Sequence, residues 1–193
     1  MSRTIKCLVA AAASLWLGAV PAKAGEAAGA MARFSGSWIG TGQLLFGEQS
    51  GLQFHCELDG EPTKTQLTFR MKGRCWLGGI SAPVYGSVRY SAMTDRFHGE
   101  FMGGAKGDGV DVEGTEAADG IALTLTRAPA RGRLTAQSVN ADQMRVMMYF
   151  EDHANNREIP VVAMGFTRKG ASAMGLPDFL PDVPTGSIAP RQP

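Results

Sequence analysis

The stretch Phe34–Leu77, FSGSWIGTGQLLFGEQSGLQFHCELDGEPTKTQLTFRMKGRCWL, decides the fold. Phe34, Gly36, Trp38, Gly40, Gly42, Leu44 and Phe46 share one parity, so an extended chain places them on one face. Glycines alternating with a tryptophan suit a sharply bent strand in which a ring lies across neighbouring backbone. After the loop Gly47–Gly51, the parity set Leu52, Phe54, Cys56 and Leu58 alternates with Gln53, His55 and Glu57. A third strand, from about Gln66, turns Leu67, Phe69, Met71, Gly73, Cys75 and Leu77 to one face.

The same alternation continues down the chain. Strands are expected over Ile80–Ser91, Arg96–Met102, Gly109–Thr115, Ile121–Arg127, Arg133–Val139, Gln143–Glu151 and Arg157–Arg168. Asp119-Gly120 marks a hairpin turn. About 8–10 antiparallel strands, each with one apolar face, must hide both that face and their edges. Closure on itself does both, so an all-β up-and-down barrel is expected, with a β-sandwich as the alternative.

The ends of the chain differ from this pattern. Residues 1–24 read as a secretory signal. Arg3 and Lys6 precede a thirteen-residue apolar run, Leu8–Val20, and Ala22-Lys23-Ala24 forms a small-x-small cleavage site. The run is shorter than the roughly 18 residues that span a membrane, so no membrane span is expected after signal removal. Residues 25–33 are Ala/Gly-rich and read as a flexible lead-in. Residues 34–169 form the barrel domain. Residues 170–193 read as a disordered Pro-rich tail, with five prolines after position 176 and no apolar period. The signal carries three of the 19 basic residues and no acid. The mature chain then has 16 basic against 18 acidic residues, a net of −2. With no basic run longer than two residues, nucleic acid is excluded as the main partner.

Cys56 and Cys75 are an even pair in an exported chain, which reads as a disulfide. Opposed across a plain hairpin, they require a turn centred near Thr65-Gln66, whereas the strongest turn residues are Asp59-Gly60-Glu61-Pro62. A redox or metal pair lacks the CxxC spacing. His55, His98 and His153 show no metal-ligand spacing and read as surface residues. The glycine-rich acidic run Asp108, Asp111, Glu113 reads as a solvated strand face, and a calcium loop is the weaker alternative. No Gly-x-Ser-x-Gly elbow or phosphate-binding loop occurs. Met144, Met147 and Met148, with Tyr149 and Phe150, form a soft apolar patch that reads as core packing.

Gly36-Ser37-Trp38 resembles the Gly-x-Trp signature of lipocalins and the wider calycin group. Thr94-Asp95 resembles their second motif, with Arg96 where an aromatic is usual. Arg168 corresponds to the arginine that packs on the signature tryptophan in that group. Trp38, Gly40 and Gly42, with Cys56 and Cys75, are similar to uncharacterised secreted bacterial proteins with a lipocalin/calycin-like β-barrel. The resemblance covers residues 34–168 and implies a barrel in a periplasmic or secreted compartment.

The expected function is a non-enzymatic barrel that binds a small apolar ligand or serves as an envelope interaction module. Its partner is then that ligand or an envelope protein, and no cofactor or metal is expected. Trp38, Phe54, Phe69, Phe101, Met148 and Phe150 are the expected lining of the barrel interior. The alternative is an envelope hydrolase with a carboxylate-based site, although no motif selects a pair of acids.

Overall fold

The computed structural model of the chain describes residues 22–63, 67–103 and 109–171. The expected signal up to Pro21, Asp108 of the acidic run, and the expected tail beyond Ala171 lie outside the described residues. One helix, α1 (Ala22–Arg33), precedes ten strands. They are β1 (Gly36–Leu44), β2 (Gln53–Pro62), β3 (Thr68–Leu77), β4 (Ile80–Ser91), β5 (Arg96–Gly103), β6 (Val110–Ala117), β7 (Gly120–Arg127), β8 (Ala130–Asn140), β9 (Gln143–Asp152) and β10 (Arg157–Arg168). Each strand pairs antiparallel with the next, and β10 returns to β1. The result is a closed up-and-down barrel, which removes every sheet edge and sets aside the sandwich.

Two expectations are corrected. Residues 25–33 are not a flexible lead-in but belong to α1. Ala27, Ala30 and Met31 are buried, and with Phe34 they follow helical i, i+3, i+4 spacing. A short Ala/Gly segment gains its helix from this tertiary packing and not from propensity. The second correction concerns Asp59–Pro62, which continues β2 and does not form the turn. Gly60 serves packing here: a Cβ at that position would run into the Phe34 carbonyl and the Phe69 ring.

Alternate strands run in opposite directions, so the barrel has two distinct ends. At the end where β1 begins, α1 packs over the core with Phe34, Trp38, Phe97, Met144 and Phe166. Trp38 Nε1 donates to the Phe34 carbonyl at 3.0 Å. The Arg168 guanidinium lies 4.3 Å from the centre of the Trp38 ring. It also donates to the carbonyls of Arg33 and Ser35, and to that of Ala141 in the β8–β9 turn. One side chain thus joins the end of α1, the start of β1 and two far strands. Gly36, with φ +102°, leaves room for this guanidinium.

On the outer wall, Arg133 of β8 forms a paired hydrogen bond with Glu158 of β10 and lies 4.3 Å from the Tyr149 ring centre on β9 between them. The hydrogen bonds from Arg133 hold the Glu158 carboxyl below its usual range. A lowered carboxylate pKa adds stability above the unfolded value, and that stability is lost as pH falls through the folded value. Glu158→Gln should therefore cost about 0.5 kcal/mol at pH 7, discounted for exposure. Melting curves at pH 7 and at successively lower pH should show the gap between variant and wild type closing below the usual carboxylate range.

A stoppered, open-mouthed apolar cavity

The inward parity set that closes the core at one end leaves the middle and other end of the barrel unfilled. A cavity of about 710 Å³ occupies that space. Phe34, Met144 and Phe166 form its floor against the stoppered end, and Leu44, Leu77, Ala82 and Val162 lie toward the open end. A barrel of ten strands is wider than one of eight, whose interior side chains just fill the bore. Small inward residues widen it further. Gly40 and Gly42 lie on the inward face of β1, and with no side chain of their own they let the Phe166 and Phe54 rings lie close against the wall.

The lining is almost wholly apolar. Aromatic rings (Phe34, Phe54, Phe69, Phe101, Phe166), thioethers (Met71, Met144, Met148, Met164) and aliphatic side chains supply most of it. Its polar members are Gln49 in the β1–β2 loop, and Ser87 and Glu100, which face each other across β4 and β5. Ser87 and Glu100 are of outward parity and border the cavity only at the stretch of wall beside Gly86, which carries no inward side chain.

Of the six interior residues expected from the alternation, Phe54, Phe69, Phe101 and Met148 line the cavity. Trp38 does not. It is fully buried in the stopper beneath Arg168 and forms the support of the floor. Phe150 also lies outside the lining. It sits near the open end of β9, opposite Gly132 and Ile159, and is 42% exposed. Choosing large aromatics missed Phe34, Phe166 and three of the lining methionines. Phe34 and Met71 carry the same parity signal as the residues chosen.

Cys56 and Cys75 face each other directly on β2 and β3, joined by a disulfide with Cα atoms 4.0 Å apart, and both belong to the cavity wall. The register of β2 and β3 runs on to Pro62 opposite Phe69, and the expected turn centre at Thr65-Gln66 lies outside the described residues. Closing a loop of this length should contribute about 3 kcal/mol. Urea unfolding of the double variant Cys56→Ser/Cys75→Ser should show a loss of that size, and thiol labelling of the mature wild type should find no free cysteine.

The histidines are scattered. His55 stacks on Trp76 at 4.8 Å on the outer wall, His98 meets Thr94 at 3.2 Å, and His153 lies 3.8 Å from Glu151. Among the described residues no group of three or more His, Cys, Asp and Glu side chains comes together as a metal site. Among the described residues, Glu100 is the one acid that borders the cavity. Tyr90 lies deep at the stoppered end. Its hydroxyl donates to Asp95 at 2.7 Å, and this bond, helped by burial, pushes its pKa up to about 12. It is a structural tether between β4 and the turn that follows.

No protein-family model matches the chain, and no curated protein matches it. Solved structures do. Rv2717c from M. tuberculosis superposes with a TM-score of 0.57 at 14% identity, over 74% of this chain and 97% of that one. The S-type phycobiliprotein lyase CPES from Guillardia theta superposes with a TM-score of 0.54 at 11% identity, over 74% of this chain and 92% of that one. The likeness is one of fold. It fits the closed antiparallel barrel and extends over nearly the whole of both neighbours.

Proposed function

We propose that this protein is an exported, non-enzymatic barrel that holds a small apolar ligand in its cavity, with Phe54, Phe69, Phe101 and Met148 among the contacts. The observation that carries this reading is the cavity itself: about 710 Å³, stoppered at one end, open at the other and lined by apolar side chains. Ligand sites typically measure roughly 300–1,000 Å³ and combine such a lining with a few polar groups. A barrel acting only as an interaction module has no need of an unfilled interior. Thioethers suit a ligand pocket because they adapt to varied shapes at little cost. A rigid closed wall, pinned by the Cys56–Cys75 bond, reduces the ordering that binding must otherwise impose.

Export to a periplasmic or secreted location is supported by the signal-like segment and by the disulfide. Among the described residues no helix is long and apolar enough to cross a membrane. Native mass spectrometry of the protein purified from the extracytoplasmic fraction tests the proposal. A small molecule should remain bound in the gas phase and be released by denaturation. A purified barrel that carries no molecule and takes up none from an apolar extract would count against it.

A further inference from the structure

The methionines of the cavity are grouped on one wall. Met144 and Met148 lie on β9 on either side of Val146, and Met164 of β10 stands opposite Val146. Met164 is thus a diagonal neighbour of both, at a separation of roughly 7–8 Å. Met71 adds a fourth thioether from β3. Met71, Met148 and Met164 are partly buried, whereas Met144 is fully buried at the floor. The residues directly opposite Met148, Met164 and Met144 are Val162, Val146 and Phe166, all apolar.

A thioether is apolar until it is oxidised, and a sulfoxide is polar. Hydrogen peroxide that enters through the open mouth transfers one oxygen atom to sulfur. Its O–O bond breaks, an S–O bond forms, and the rest of the peroxide leaves as water. Sulfur loses two electrons and the peroxide gains two. The new oxygen is a hydrogen-bond acceptor among apolar neighbours, and it holds water that an apolar ligand must strip away. Resting on the apolar-ligand reading above, we propose that the wall carrying Met148 and Met164 is a peroxide-sensitive release switch. Its oxidation to sulfoxide expels the ligand while the barrel stays folded, because the strand pairing and the Cys56–Cys75 bond close the wall without these sulfurs. A bound ligand covers the same sulfurs, so an empty barrel is oxidised faster than a loaded one.

The test treats the full mature protein with hydrogen peroxide. Peptide mass spectrometry follows each methionine, alongside the affinity for Nile red, a neutral dye. Affinity should fall about tenfold or more as Met148 and Met164 gain oxygen, with the far-UV circular dichroism unchanged. Saturating 1-dodecanol should slow oxidation of Met148 and Met164 and leave that of Met93, exposed outside the cavity, unaltered. In the variant Met71→Leu/Met148→Leu/Met164→Leu, peroxide should leave the dye affinity at that variant's own untreated value, whereas in Met93→Leu the loss should persist. Unchanged affinity once Met148 and Met164 are oxidised, an equal loss in the leucine variant, or a loss that comes only with unfolding would overturn the switch and leave the apolar-ligand reading standing. Failure of the untreated protein to bind either Nile red or 1-dodecanol would overturn that reading as well.

Discussion

Replacing Trp38 by alanine should lower the stability of the barrel by about 3–5 kcal/mol, the range for truncating a large buried aromatic. Three losses combine. The side chain is fully buried, so its removal leaves a void beneath the cavity floor. The hydrogen bond from Nε1 to Phe34 disappears, which frees the junction between α1 and β1. Arg168 loses the ring on which it rests, although its carbonyl partners stay in place. Arg168→Ala should itself be costly, since it strands the carbonyls of Ser35 and Ala141 at the stoppered end. A double-mutant cycle between Trp38→Ala and Arg168→Ala, measured by urea unfolding, should return a coupling of about 0.5–2 kcal/mol. Additive losses would mean that the stack contributes nothing of its own.

The second large effect concerns binding and spares the fold. Leu134 lies on β8 between Leu123 of β7 and Met148 of β9, and all three line the cavity. Tryptophan at this position points into unfilled space, where a small-to-large change escapes most of the usual overpacking cost. Leu134→Trp should reduce affinity for Nile red by at least about tenfold, corresponding to about 1.4 kcal/mol or more. The melting temperature should move by only a few degrees. The contrast with Trp38→Ala separates the support of the floor from the wall of the cavity. Equal dye binding by wild type and Leu134→Trp would place the dye elsewhere on the surface.

Much of the barrel was legible in the order of residues because period-2 alternation is a local signal. Leu67, Phe69, Met71, Gly73 and Cys75 announce an inward face whatever their partners, and the strand over Ile80–Ser91 matches β4 end to end. Features decided by distant partners were not legible. Asp59-Gly60-Glu61-Pro62 has the composition of a turn, yet Gly60 is there because Phe34 and Phe69 occupy the space of a side chain. Helix α1 is short and glycine-containing, and it is stable only because a barrel end lies beneath Ala27, Ala30 and Met31. The cavity could not be read at all from alternation, which says which side chains point inward and nothing about whether they meet. That depends on the strand count and on inward glycines such as Gly40 and Gly42. Trp38 shows the difference well: parity placed it inside, but its height along the barrel makes it a support and not a contact.

The placement of a ligand inside the barrel is tested most directly by NMR of methionine methyl groups during titration with 1-dodecanol. Met71, Met144, Met148 and Met164 line the cavity, whereas Met93 is almost fully exposed on the turn after β4. Saturable shifts confined to the four cavity methyls, with Met93 unchanged, are the expected result. Shifts at Met93 without shifts at the cavity methyls, or no saturable change at any of them, would contradict a ligand-holding barrel.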